Sequence, residues 1–470
     1  MRYLNCNLSK TTIIGRMSGD YKAKWELLLG DDRFRPRSPK IKEDARDPYE
    51  DDYGRLVSSA EIRRLQGKTQ VFPMPESGYP RTRLTHSMEV SFFAGSIGKS
   101  IEKVIIEKND FPKGKDGHLA SLLRVAGLVH DLGNTPFGHF GEKAIQDFFF
   151  DYFQQTTTAL SPQQVKDLVF FDGNVQTFRV LSKLHFLKDR YAFNLTCQTL
   201  SAIIKYPCSS LDGNEQGNLE RKKFGFFESE SEEFKYIDEK LHLNGHRNPI
   251  TYIVEAADDL AFRAADIEDG VRLGVLSIED IHEILEEKLV KNKDLVLGKF
   301  DSLINDYSFI KKRFPELYKM SVIQNLRIFN QQLLIRGAIN SFNNYYDSIM
   351  NGSFNQELLV VSDYSDILDA CRAIFVRILN DKKVLRLETA GYTAIRGLLD
   401  LFIPAILGDK HGSASFNQHI YELISQEYRY YFESGEKTEY SGLQLAVDYV
   451  SGMTDEYAID LYQRLSGIRI

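Results

Sequence analysis

Three ionisable residues stand on helical stripes where apolar side chains are expected, and a fourth adjoins one of them. His86 begins a stripe that continues through Val90, Phe93, Ile97, Ile101 and Val104. His130 follows Leu123 and Ala126 in SLLRVAGLVHDLG, with Asp131 beside it. Asp258 lies four residues from both Val254 and Phe262 in ITYIVEAADDLAFRAADIEDG, so it shares their face. A buried carboxylate must be protonated, paired or bound to a cation. Two imidazoles and two carboxylates make a ligand set for one divalent metal, and an internal His–Asp ion-pair network is the competing reading. On a helix His130 and Asp131 diverge by about 100°. Both reach one ion if it sits at the helix end that Gly133 marks.

A second cluster follows at once in HDLGNTPFGHFGE, residues 130–142. Gly133, Pro136, Gly138 and Gly141 predict a tight turn that delivers His139 and Glu142 near the next helix start. Three residues apart, the two share a helical face. A carboxylate that holds an imidazole in one tautomer suits proton transfer; the plainer reading is that the pair caps the helix from residue 140. There is no HExxH, and GNTPFGH places His139 where a P-loop needs lysine. No Gly-rich dinucleotide fingerprint follows a strand.

The elements that must position these residues are helices. Apolar residues recur at three- and four-residue spacing over 86–108, 119–132, 140–154, 196–205, 250–273 and 277–292, and in most of the chain after 298. Strand signals are sparse, and only four of thirteen prolines lie beyond Pro162. The expected fold is all-α. It comprises an N-terminal arm over 1–55, a catalytic core over 56–273 with an excursion over 150–250, and a helical C-terminal part over 274–470 packed on that core.

The 470 residues carry 59 basic and 66 acidic side chains, net -7. That balance disfavours a surface built throughout for nucleic acid. An anionic substrate would then need a metal or a focused cluster of Lys and Arg. Cys6, Cys197, Cys208 and Cys371 form no CxxC pair, as expected in a reducing compartment. The start MRYLNCNLSK lacks the apolar centre of a signal peptide, and no apolar run reaches ~18 residues. A cytoplasmic protein without a membrane span is expected.

The order His86, His130-Asp131, Asp258 resembles the HD superfamily of metal-dependent phosphohydrolases. RTRLTHSMEV (81–90), HDLGNTPFGHFGE, FFDGNVQTFRVL (170–181), EAADDLAFRAADIEDG (255–270) and DYVSGMTDEYA (448–458) closely resemble its dGTPase-like branch, the deoxynucleoside triphosphate triphosphohydrolases. The resemblance runs from about Arg55 to the C-terminus. It implies an HD-domain helical core and hydrolysis of a dNTP to a deoxynucleoside and tripolyphosphate. It also implies one divalent metal (Mg, Mn or Fe) on His86, His130, Asp131 and Asp258, with His139 and Glu142 as the catalytic pair beside the α-phosphate. RRLQGKTQVF (63–72) is similar to the sugar-reading segment, which puts Gln70 and Val71 at the deoxyribose and Gln70 on the 3'-OH. Arg83 matches an arginine that grips phosphate. KYP (205–207) and KKFGFFESE (222–230) are similar to segments that lend lysines to the triphosphate, so Lys205 and Lys223 are either phosphate contacts or solvated surface.

Two positions bear on specificity. Asn134 stands where many broader dNTPases carry His, which resembles the dGTP-preferring type. Phe262 replaces the usual Tyr; it keeps the ring that gates against a 2'-OH and loses the hydroxyl. The family further implies a homo-oligomer, commonly a hexamer, and single-stranded DNA binding in some relatives. Two other readings stay open: an HD phosphohydrolase acting on nucleoside monophosphates or cyclic nucleotides, and a single-strand nucleic-acid-binding protein with a structural metal. The second draws on Tyr79, Arg81 and Arg83.

Overall fold

Capping residues in the sequence set where the helices begin. Thr82 and Thr85 form a capping box that starts the helix Arg83–Glu107, and Ser161 with Gln164 does the same for Pro162–Val169. Pro249 and Pro315 occupy the first turns of Pro249–Arg272 and Pro315–Asn344, where a missing N–H costs nothing. The computed structural model describes residues 21–35, 45–70, 81–186, 188–408 and 415–468, and within them all side chains except those of 263–266 and 383. Val71, expected at the deoxyribose, and Tyr79 lie outside the described residues. Among the described residues there is no strand, only two isolated bridges, Arg33 with Thr196 and Thr69 with Thr82. The fold is all-α.

Helices gather around two apolar cores. In the first, Arg83–Glu107 lies along His118–Val129, both meet Pro249–Arg272, and Arg83–Glu107 also meets Pro315–Asn344. Val90, Ala94, Ile97 and Ile101 pack with Leu119, Leu122, Leu123, Ile253 and Leu260. Gly127 lets the first two helices touch, because a Cβ there would lie 2.9 Å from the Ser91 backbone. In the second core, His139–Gln155 packs on Lys382–Leu407, which also meets Glu439–Ser451 and Asp455–Leu465. Phe148, Phe149, Leu398, Phe402, Leu443 and Val450 fill it. The stretch 130–139 passes from the first core to the second.

Several boundaries differ from the periodic pattern. The helix read over 119–132 ends at Val129, and the Leu132 N–H turns back to the Val129 carbonyl. His130 and Asp131 therefore sit in the turn that closes the helix, with His130 still in right-handed helical backbone. The element read over 196–205 is shorter, Cys197–Ala202. Within the span read as an arm, Trp25, Leu28 and Leu29 are fully buried, and Trp25 Nε1 donates to the Tyr346 hydroxyl at 2.8 Å. One aromatic and two leucines within five residues are enough to dock a seven-residue helix, Lys22–Leu28. Among the described residues one helix segment, Val384–Leu407, is long and apolar enough to cross a membrane, and half of it is buried in the second core.

Candidate active site

The helix Arg83–Glu107 carries Arg83 at its first position and His86 one turn on, both buried. Opposite them stand His130 and Asp131 from the turn, and Asp258 from the middle of Pro249–Arg272. His130 Nδ1 is 2.8 Å from the Gly127 carbonyl, which can only accept, so the proton sits on Nδ1. That leaves Nε2, buried and without a hydrogen bond, 3.4 Å from both Asp131 Oδ1 and Asp258 Oδ1. His86 Nε2 is 3.1 Å from Asp258 Oδ1. One atom each of His86, His130 and Asp258 lies within 4.8 Å of the others. Burial alone would lower the His130 pKa, but the charges of Asp131 and Asp258 outweigh it and raise it. The site thus attracts a positive charge at that nitrogen, as a proton or as a metal ion.

Asp131 stands at the edge of this set with both oxygens already engaged. Oδ2 accepts from Arg83 Nη1 at 2.6 Å and Oδ1 from Asn134 Nδ2 at 2.6 Å. Burial works against its ionisation, but His130, Arg83 and His86 prevail and hold the carboxyl at about 2. Asp258 accepts from Lys205 Nζ at 3.1 Å through Oδ2. Against burial, Lys205 and then His130 keep it well below the usual carboxylate range. Lys205 is therefore no solvated surface lysine: its side chain is 15% exposed. Lys223 is more open, at 43%, and is ion-paired to Asp172. Asp172 is itself fixed as the N-cap of Gly173–Arg179.

His139 is the first residue of His139–Gln155, and its Nδ1 is 3.2 Å from Glu142 Oε2. The other Glu142 oxygen accepts from the Gly173 N–H at 2.8 Å, so the carboxylate is held from two sides. The hydrogen bond and charge of Glu142 raise the His139 pKa more than burial lowers it. The imidazole itself is 82% exposed at the cavity mouth. With Nδ1 held by the Glu142 carboxylate, Nε2 is the ring nitrogen left open to the cavity mouth.

One cavity collects these groups. Gln70, Arg83, Asp131, Asn134, His139, Glu142, Lys205, Lys223, Asp258 and Phe262 all line it, with His86 and His130 buried beneath. Gln70 Oε1 has no partner. The Phe262 ring meets His86 edge-on at 6.1 Å and Phe375 at 4.8 Å. Phe375, Leu379 and Glu388 also line the cavity, and sequence reasoning assigned them nothing. Glu388 is buried with Oε2 unpartnered; burial pushes its pKa up to about 7, although His139 pulls the other way. No motif marks these three, which sit on the ordinary apolar stripes of Ser365–Leu379 and Lys382–Leu407. Asp172 and Asp455 did fall within family-like segments, FFDGN and DYVSGMTDEYA, but no role followed from them.

Buried imidazoles and carboxylates under a cation-lined cavity, in an all-α fold, define a hydrolase of the HD type. Residues 83–168 match the HD domain, and residues 371–464 match the phosphohydrolase-associated domain. The deoxyguanosinetriphosphate triphosphohydrolase-like protein of Listeria monocytogenes is 38% identical over 469 residues, covering 95% of this chain and 100% of the relative. Its counterpart in Synechocystis is 29% identical over 465 residues, 95% of this chain and 100% of the relative. The deoxyguanosinetriphosphate triphosphohydrolase of Cronobacter sakazakii is 30% identical over 499 aligned positions, 93% and 97%. The chain belongs to the deoxyguanosinetriphosphate triphosphohydrolase-like family.

Proposed function

We propose that this chain hydrolyses deoxynucleoside triphosphates, dGTP in preference, to the deoxynucleoside and tripolyphosphate. The observation that carries this is one cavity in which the His139–Glu142 pair faces three cationic side chains above the His86, His130 and Asp258 cluster. The orphaned Nε2 of His130 and the mixed nitrogen and oxygen donors fit a divalent ion such as Mg, Mn or Fe. His86, His130, Asp131 and Asp258 would hold it. When bound, such an ion polarises a phosphoryl oxygen and lowers the pKa of water.

The protein's own groups do the rest. Water adds to the α-phosphorus, the bond from phosphorus to O5' breaks, and O5' takes a proton. His139, kept basic by Glu142, carries that proton on Nε2. Arg83, Lys205 and Lys223 supply local positive field for the leaving tripolyphosphate, each tethered to a carboxylate that fixes where its charge sits. Phe262, with Phe375 packed edge-on against it at 4.8 Å, would be the ring that gates against a 2'-OH. Glu388 favours guanine, whose adjacent N1–H and N2–H2 donors would offset the burial that otherwise keeps this carboxyl neutral.

The test is incubation with each dNTP and with GTP, in Mg or Mn, and chromatographic separation of products. Deoxyguanosine and tripolyphosphate, formed fastest from dGTP, are expected. Orthophosphate or nucleoside monophosphate would instead indicate another HD phosphohydrolase. No hydrolysis, together with salt-sensitive single-strand binding that survives Asp258→Ala, would indicate a nucleic-acid-binding protein.

A further inference from the structure

The turn that delivers His139 is conformationally unfavourable. Phe137 and Gly138 both adopt positive φ, 61° and 60°. For a bulky residue such as Phe137 that region is a genuine outlier, which persists only when the surroundings hold it. Three restraints are in place. Thr135 Oγ1 donates to the Gly138 carbonyl at 2.8 Å. The buried Phe137 ring fills a socket over Gly391, where a Cβ would lie 2.2 Å from a ring carbon. The Phe137 N–H donates to Asp455 Oδ1 at 3.0 Å.

Asp455 does more than anchor one amide. It is the first residue of Asp455–Leu465 and is buried. Its Oδ2 accepts from the Thr69 N–H at 3.0 Å and from the Thr69 hydroxyl. Thr69 adjoins Gln70, and both line the cavity, whereas Asp455 does not. One carboxylate therefore ties the strip expected at the sugar to the turn that carries His139. Lys68 reinforces the tie, donating from Nζ to the Asn134 carbonyl at 2.5 Å and the Ser451 carbonyl at 2.8 Å.

We infer that Asp455, on the C-terminal helix, is a positioning residue for His139, holding the 135–138 turn in its strained form through the Phe137 amide. The inference rests on the reading of His139 as the proton donor. A displacement of the order of 1 Å at a reacting group costs up to about 100-fold in rate.

The test uses the full chain loaded with Mn: wild type, Asp455→Asn, Asp455→Ala, His139→Ala, and the double variant Asp455→Ala/His139→Ala. Asp455→Ala is expected to lower kcat about 10- to 100-fold with bound Mn unchanged. Asp455→Asn keeps one acceptor and should recover part of that loss. In the His139→Ala background, Asp455→Ala should cost less than about twofold more, since residues acting as a unit are non-additive. Two losses that simply multiply would overturn the inference, as would full kcat in folded Asp455→Ala. Amide hydrogen exchange over 134–142 is a readout independent of turnover, and Asp455→Ala should speed it markedly. If wild type hydrolyses no dNTP, the functional reading fails while exchange still decides whether Asp455 holds the turn. Unchanged exchange there would overturn the inference, and so would failure of both Asp455 variants to fold, which would make Asp455 a general stability residue.

Discussion

His139 and Glu142 form a pair in which each partner has one task. Glu142 is fixed by the Gly173 amide and in turn holds Nδ1 of His139. Replacing His139 by Ala removes the proposed proton carrier and leaves the His86, His130 and Asp258 cluster intact. Turnover of dGTP should fall at least ~100-fold, the ordinary scale for general acid–base work, with metal content by atomic emission unchanged. Glu388 offers a separate check through stability. Its folded pKa, about 7, lies above the unfolded value of about 4.3. The neutral form is therefore the one the fold accommodates. Its contribution is fully present below about pH 4.3 and is lost as pH rises through 7. Glu388→Gln should raise the thermal midpoint at pH 8 and leave it nearly unchanged at pH 4.5, by scanning calorimetry. The same variant should reduce the preference for dGTP over dATP in competition assays.

At the scale of elements, the contact between Arg83–Glu107 and His118–Val129 decides how far His86 stands from His130. Gly127 closes that contact on the Ser91 backbone, which cannot rotate away as a side chain would. Gly127→Ala should push the helices apart, costing about 1–3 kcal/mol as overpacked cores do. Because one imidazole of the proposed metal site follows each side of the contact, metal affinity should fall with the thermal midpoint. Titration calorimetry and thermal unfolding of one sample would show whether the two move together. The Thr82 cap works at the N-terminus of Arg83–Glu107, about two turns before Ser91, where it sets the entry of Arg83.

For the whole molecule, buried charge joins parts of the chain that are far apart in sequence. Arg179 donates to both oxygens of Asp448, at 2.9 and 2.8 Å, and to Glu230 at 2.7 Å. Gln176 adds a bond to Asp448 at 2.8 Å. These groups link Gly173–Arg179, which carries the Asp172 cap and the Gly173 amide, to the helix Glu439–Ser451. Asp448→Ala would leave Arg179 without its main counter-charge. A buried pair broken on one side costs about 3–5 kcal/mol; Glu230 still faces Arg179, so the loss should stay below that range, and urea unfolding should shift to lower denaturant. The local geometry at Glu142 should loosen as well, because the Gly173 amide belongs to the same short helix.

The sequence by itself determined the all-α class and the spacing of chemistry along residues 130–142. Helical periodicity is a local property, and thirteen residues cannot separate His130 and Asp131 far from His139 and Glu142. It also marked His86 and Asp258 as ionisable intruders on apolar stripes, because burying a charge is costly wherever the stripe packs. Tertiary structure alone decided that His86, His130 and Asp258 converge, since that depends on how three helices cross. It alone decided that Lys205 is spent on Asp258 and that Asp131 is engaged by Arg83 and Asn134. Phe375, Glu388 and Asp455 were invisible for the same reason. Each lies more than 230 residues from His139 or on a stripe that looks like ordinary core, and only tertiary packing, against the first core for Phe375 and around the second for Glu388 and Asp455, brings them to the cavity or to the turn beside it.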